Sequence, residues 1–237
     1  NLAVVGPLDP NNLETFIKAH LKNLADNSFL VHGGFFPEYV DEKPILERNN
    51  ILQKIWHKIN LYHYNDIYKE KHLVKIFKKL KIDVVLAEYG PTGVAIQQAC
   101  KKADIPFVVH FHGFDISKKH VVNAYADSYK EMFYNASGII AVSHEMYSDI
   151  LALGAEESKL FYNPYGVDIK VFHPNNKNNN KFDLLFVGRF VEKKSPVLTV
   201  LLIKELVGKY PELKVAMAGD GPLLNTAKKV AYTLGID

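Results

Sequence analysis

A chain of 237 residues with 48% hydrophobic content has enough apolar mass for more than one core. A net charge of +3 is too mild to argue for nucleic acid, and no basic patch interleaved with aromatics is present. The single cysteine excludes a disulfide framework, and no apolar run reaches the roughly 18 residues that a spanning helix needs.

Apolar strand-like runs then alternate with helical patterns. Leu2–Val5 reads as a strand, Gly6-Pro7 as a loop, and Asn12 as the cap of a helix over 13–25. Phe29–Val31 is a second strand. Pro37 and Pro44 mark 35–48 as a loop, and helices are expected over 50–62 and 66–80. Val84–Ala87 is a strand, and Pro91 opens a helix to Lys102. Phe107–Val109 is a strand that leads into His110-Phe-His112-Gly113, followed by a helix over 121–135. After the strand Ile139–Val142, Ser143 caps the next helix and Gly154 ends it. This alternation predicts an α/β fold with a parallel sheet and helices on both faces.

Residues 175–181 contain no apolar side chain and read as a linker or exposed loop. They divide a Rossmann-like domain at 1–174 from a second series at 182–237. That series has strands at 182–187 and 214–218 and helices over 196–209 and up to Leu234. A Rossmann-like domain usually needs five or six strands. The second domain is therefore expected to be cut short at Asp237.

The segment Leu184 to Lys194 carries the clearest chemistry. An unbroken apolar run, as in a strand buried on both faces, ends at Gly188. Arg189, Lys193 and Lys194 follow, and a helix starts near Ser195-Pro196. Cations between a strand end and a helix N-terminus make an anion site. Gly219-Asp220-Gly221-Pro222 occupies the equivalent turn after the next strand. On the 66–80 helix, Leu73, Ile76, Phe77 and Leu80 lie opposite Lys71, Lys75, Lys78 and Lys79. Such a basic face could rest on anionic lipid, or it is an ordinary solvated face. Trp56, Tyr62, Tyr64 and Tyr68 read as core or acceptor-side surface. His57, His63 and His72 show no ligand spacing, so no metal is expected. No secretory leader is visible. A cytoplasmic protein is expected, at most resting on the inner face of the membrane.

Five motifs in register resemble family-4 glycosyltransferases of the GT-B fold. They are His110–Ser117, Asn163–Asp168, Phe172–Pro174, Gly188-Arg189 with Lys193-Lys194, and Ala218–Pro222. Leu13–Ile17 and Tyr89–Val94 also resemble segments of bacterial polysaccharide-assembly members. The resemblance implies two Rossmann-like domains with the active site between them. It implies transfer from a UDP- or GDP-sugar to a glycan or lipid-linked acceptor, with retention and without a metal or cofactor. Arg189 and Lys194 would hold the donor diphosphate, and His112 would line the donor-sugar pocket as the catalytic candidate. Gly6, Gly219, Asp220 and Gly221 are further donor-binding candidates, although Pro7 removes one backbone donor beside Gly6. His110 and Asp115 are candidate supporting residues.

The chain departs from the family's pattern at two points. It ends before the paired glutamates, Glu-x7-Glu, so these 237 residues alone are expected to be inactive. Ser195 stands where a glycine is usual. The alternatives are a nucleotide-sugar epimerase or phosphorylase of the same fold, with Glu88 as the tempting carboxylate, and a non-catalytic protein that binds nucleotide or glycan.

Overall fold

A computed structural model describes residues 1–45, 62–174 and 181–236. The expected helix at 50–62, Trp56 and the asparagine-rich stretch 175–180 lie outside the described residues. The chain divides into two compact units, Asn1–Val167 and Asp168–Asp237. The boundary expected from the sequence lies a little later, at 174.

In the first unit, β1 is Leu2–Gly6, α1 Thr15–Asn23 and β2 Ser28–His32. A small hairpin, β3 (Tyr39–Val40) and β4 (Lys43–Pro44), precedes α2 (Tyr62–Lys79). Then come β5 (Val84–Glu88), α3 (Gly90–Ala103), β6 (Phe107–His110), α4 (Gly113–Ser117) and α5 (Lys119–Asn135). The unit closes with β7 (Gly138–Ala141), α6 (His144–Ala152) and β8 (Leu160–Tyr162). The sheet order is β4-β3-β2-β1-β5-β6-β7-β8. All pairings from β2 to β8 are parallel, and only β3 and β4 run antiparallel.

The order reverses at β1, which has β2 on one side and β5 on the other. In open α/β sheets the carboxyl ends at such a reversal flank the ligand crevice. Alternate residues of the strands feed two cores. Val4, Leu30 and Leu86 pack with Ile17 of α1 on one face. Val5, Val85 and Val109 pack with Phe77, Ile96 and Met132 on the other. Helices therefore cover both faces.

Several local expectations change. Residues 35–48 include β3 and β4, joined through Asp41 at φ 50. Pro44 is tolerated there because an edge strand has no further neighbour to receive its missing N–H. Asn12 belongs to a short 3-10 turn, and α1 starts two residues later behind Glu14. Neither α4 nor β8 was expected. Ser143 does cap α6, its Oγ accepting from the N–H of Met146 at 3.1 Å. On α2, Leu73 and Phe77 are fully buried while Lys71, Lys75, Lys78 and Lys79 are exposed, so the apolar stripe is committed to the core. Among the described residues no helix is long and apolar enough to cross a membrane.

The second unit pairs β9 (Leu184–Val187) with β10 (Val215–Ala218) in parallel, beside α7 (Pro196–Lys209) and α8 (Leu224–Thr233). Phe186 and Met217 pack towards Val200 and Ala227. The alternate residues face the other way, leaving Leu185 62% and Val187 73% exposed. The expectation that this strand is buried on both faces is thus corrected, because the helices described here cover one face only.

The two βα turns of this unit interlock. Gly188 donates to Ala218 O at 3.0 Å, and Phe190 donates to Asp220 O at 2.8 Å. A Cβ at Gly219 would sit 1.9 Å from Gly188 O, and φ is +147. Gly219→Ala should therefore cost this unit about 3 kcal/mol or more, seen as a lowered thermal unfolding midpoint. Gly208→Ala is the control. Nothing lies within 4 Å of its Cβ position, and Ala in a helix interior should leave the midpoint unchanged or raise it.

Candidate functional site

Strand β5 ends its apolar run on Glu88, whose side chain is fully buried. A buried carboxylate persists only if charged or polar groups satisfy it, and three elements supply them. The inner face of α1 presents Phe16 and, one turn on, His20. His20 Nδ1 lies 2.7 Å from Glu88 Oε1. The parallel register sets Glu88 beside His110 of β6. Two residues further, His112 Nε2 lies 2.9 Å from Glu88 Oε2. His110 Nδ1 approaches the same oxygen at 3.2 Å without the alignment of a hydrogen bond, so both its ring nitrogens lack a hydrogen-bond partner. Gly6, at the end of β1, closes the floor, and a Cβ there would meet Glu88 Cβ at 3.2 Å.

Burial pushes the Glu88 carboxyl up, but the imidazoles of His110, His112 and His20 outweigh it and hold the group well below the usual carboxylate range. Burial lowers the pKa of His112 against the opposing pull of Glu88, so the ring is neutral at pH 7. An ionised Glu88 can only accept, so His112 carries its proton on Nε2 and leaves Nδ1 bare. The Tyr165 hydroxyl meets that nitrogen and donates to it. Tyr165 also stacks on Phe16, with ring centroids 4.6 Å apart. Tyr89 packs its ring 4.4 Å from that of His112 and donates to Glu14 Oε2 at 2.8 Å. Its backbone sits at φ 78, a strained value for a tyrosine. Strain of this kind gathers where a structure fixes a functional group.

Asp115, in the first turn of α4, anchors the main chain of the same loop. Its Oδ2 accepts from the His112 N–H at 2.9 Å, while Oδ1 is buried without a partner. Burial raises its pKa from 3.8 to about 7, against the hydrogen bonds from the His112 and Gly90 N–H groups, and the Glu88 charge adds to the rise. A carboxyl raised on folding stabilises fully below its ordinary pKa, and that stability is lost as pH rises through about 7. His112 acts in the opposite sense, because its lowered pKa adds stability as pH rises through its ordinary 6.5. Glu88, with a depressed pKa, is constant above its ordinary 4.5. The difference between Asp115→Asn and the unchanged chain isolates Asp115. The variant should gain about 4 kcal/mol relative to the parent between pH 4 and pH 8, read from denaturant unfolding at each pH. A pH-independent difference would contradict this.

The sequence candidates thus fall into two groups. His112, His110, Asp115 and Gly6 meet around Glu88 at the carboxyl ends of β1, β5 and β6. The second unit carries Arg189, Lys194, Gly219, Asp220 and Gly221 at the carboxyl ends of β9 and β10. Arg189 and Lys194 are exposed. Lys194 ends a 3-10 turn, and Ser195 follows in the left-handed conformation at φ 49, where a glycine would be unstrained. Asp220 uses its Oδ1 on the N–H of Gly221 at 2.7 Å. Interlocked turns account for the glycines at 219 and 221 without a ligand.

Sequence reasoning missed His20, Phe16, Glu14, Tyr89 and Tyr165 as site residues, and weighed Glu88 only for another chemistry. An acidic residue closing an apolar strand was the available signal for Glu88. His20, Glu88 and His110 also bring possible ligand atoms within 4.8 Å of one another. Within that cluster Glu88 already accepts from His20, while His110 stands beside it without a hydrogen bond.

A model of the family described as Glycosyltransferase Family 4 matches residues 14–171, and one described as Glycosyl transferases group 1 matches 168–237. The chain is 23% identical over 177 residues to WcaL of Escherichia coli (strain K12), assigned as a colanic acid biosynthesis glycosyltransferase. That match covers 70% of this chain and 43% of WcaL. It is 29% identical over 176 residues to the UDP-Gal:alpha-D-GlcNAc-diphosphoundecaprenol alpha-1,3-galactosyltransferase of Escherichia coli, covering 66% of this chain and 45% of that protein. The chain thus spans about half the length of the curated relatives it matches. Among solved structures, Anabaena Alr3699/HepE in complex with UDP superposes with a TM-score of 0.70 at 16% identity, covering 99% of this chain and 66% of that one. At that identity the likeness is one of fold, the α/β GT-B fold built from Rossmann-like units. With a family model spanning most of its length, the chain belongs to glycosyltransferase family 4.

Proposed function

We propose that the protein to which this chain belongs transfers a sugar from a nucleotide-diphosphate donor, a UDP- or GDP-sugar, to a glycan or lipid-linked acceptor in polysaccharide assembly. The observation that carries this reading is the neutral His112, held on both ring nitrogens at the carboxyl end of the parallel sheet, just past β6. A neutral imidazole can face the positive charge that develops on a sugar ring and accept from a sugar hydroxyl. Arg189 and Lys194 take the diphosphate, the group on which negative charge builds as the glycosidic bond breaks. Relatives named for colanic acid synthesis and for a diphosphoundecaprenol-linked sugar support the acceptor class. Alr3699/HepE, solved with UDP, supports the donor class.

The reading includes retention of configuration by a front-face path. Glu88, the carboxylate that touches the His112 ring, is buried under imidazoles and is not free to act as a nucleophile. The departing phosphate oxygen then takes the acceptor proton. Two cations at a strand end perform the charge neutralisation, so the reading calls for no metal and no cofactor. The same burial of Glu88 removes the acid–base carboxylate on which an epimerase reading would rest. A cytoplasmic site, with the exposed lysines of α2 against an anionic membrane, completes the proposal. The test is a screen of UDP- and GDP-sugars with the full-length protein, following release of the nucleoside diphosphate. Release from a subset of donors is expected. Release from none would refute the reading.

A further inference from the structure

The buried carboxylate is the part of this site that no substrate can touch. Glu88 touches no surface from which a substrate could reach it, yet it is the centre on which three imidazoles converge. Its two oxygens are used differently: Oε1 faces His20 Nδ1, and Oε2 faces His112 Nε2. The carboxylate cannot swing away. Gly6 lies against its Cβ on one side, and His110, itself only 3% exposed, lies against it on another.

We propose that Glu88 is the positioning residue of this site, locking His112 as the Nε2–H tautomer and leaving Nδ1 as the bare acceptor. The position beyond Nδ1 is then a site for an O–H donor. Tyr165 fills it with its own hydroxyl, and a hydroxyl of a sugar substrate is the ligand that fits the same chemistry. Tyr165 is suited to yield, being 42% exposed and held otherwise by stacking on Phe16. His20 is fixed by the same carboxylate as the Nδ1–H tautomer, which turns its Nε2 away from Glu88. The sugar part of this inference rests on the proposed function, whereas the tautomer part does not.

Isosteric replacement of the carboxylate exposes the mechanism. In Glu88→Gln one oxygen becomes an NH2 group, a donor, so it can no longer receive an imidazole N–H. Whichever way the amide turns, His20 or His112 must surrender the proton it holds on that side. The experiment is nitrogen-detected NMR of the imidazole rings in the full-length protein. The unchanged chain should show His112 with a protonated Nε2 and a bare Nδ1. Glu88→Gln should move one of the two histidines to the opposite tautomer. Tyr165→Phe should leave the His112 tautomer as it was, because the hydroxyl follows the tautomer and does not set it.

Finding His112 protonated on Nδ1 in the unchanged chain would overturn the proposal. So would a Tyr165→Phe variant in which the tautomer switches, or a folded Glu88→Gln variant in which neither histidine changes. Should Glu88→Gln fail to fold, the unchanged chain and Tyr165→Phe decide between the outcomes. In the full-length protein, folded Glu88→Gln should lower kcat by about tenfold or more while donor KM stays within about twofold. An unchanged kcat would overturn the positioning role. A full-length protein inactive towards every donor would refute sugar transfer and leave the tautomer result standing.

Discussion

His112→Ala in the full-length protein is expected to lower turnover by on the order of a hundredfold while donor affinity changes far less. The reason lies in when the imidazole acts. A hydrogen bond from a sugar hydroxyl to Nδ1 forms in the ground state and adds modestly to affinity. The interaction with positive charge developing on the sugar ring exists only as the bond to the leaving group breaks, and interactions of that kind appear in kcat. A neutral ring is needed for both, and burial keeps His112 neutral. The substitution also removes one of the donors to Glu88. A buried carboxylate that loses a hydrogen bond costs about 2 kcal/mol, so the variant should melt earlier. Kinetics are therefore compared well below the melting midpoint, with nucleotide binding as the check that the protein is folded. Unchanged turnover would remove His112 from the catalytic residues.

The second large effect is on the diphosphate. Arg189→Ala or Lys194→Ala should each weaken binding of a nucleoside diphosphate by about tenfold to a hundredfold, with little change for the matching nucleoside. Both side chains are exposed, so neither substitution removes core packing. Arginine can form two parallel bonds to one phosphate, whereas lysine contributes a point charge, so Arg189→Ala should be the more costly of the two. The loss should shrink as salt screens the charges. Isothermal titration with diphosphate and nucleoside in parallel separates the outcomes. Equal losses for the two ligands would show that these cations do not recognise phosphate.

The legible part of the fold was the part written in apolar runs. Leu2–Val5, Val84–Ala87 and Phe107–Val109 each formed a strand of the parallel sheet, because three or four consecutive apolar residues between turn signals leave a chain few other states. Short edge elements were not legible. Tyr39–Val40, Lys43–Pro44 and Leu160–Tyr162 are too brief to show a period, and β4 and β8, at the two edges, are not obliged to be apolar. In the second unit the apolar run at 184–187 foretold a strand and misled about its burial.

Around the candidate site, His112, His110 and Asp115 were readable because they follow a strand in a recognisable motif. His20 was not, since it lies 68 residues from its partner Glu88. Only the strand order, with β5 placed beside β1 under α1, brings them together. Tyr165 was visible as part of a motif but not as the group covering His112. The usual glycine at position 195 gains a physical reason, because the left-handed φ of 49 there strains a serine.

Retention in the proposed sugar transfer is read from product stereochemistry. The full-length protein is incubated with the nucleotide sugar found active and a glycan acceptor, and the new linkage is read by NMR together with the released nucleoside diphosphate. One diphosphate released per sugar transferred and a linkage with the donor's own anomeric configuration are expected. An inverted linkage, or a product formed without release of diphosphate, would contradict retaining sugar transfer.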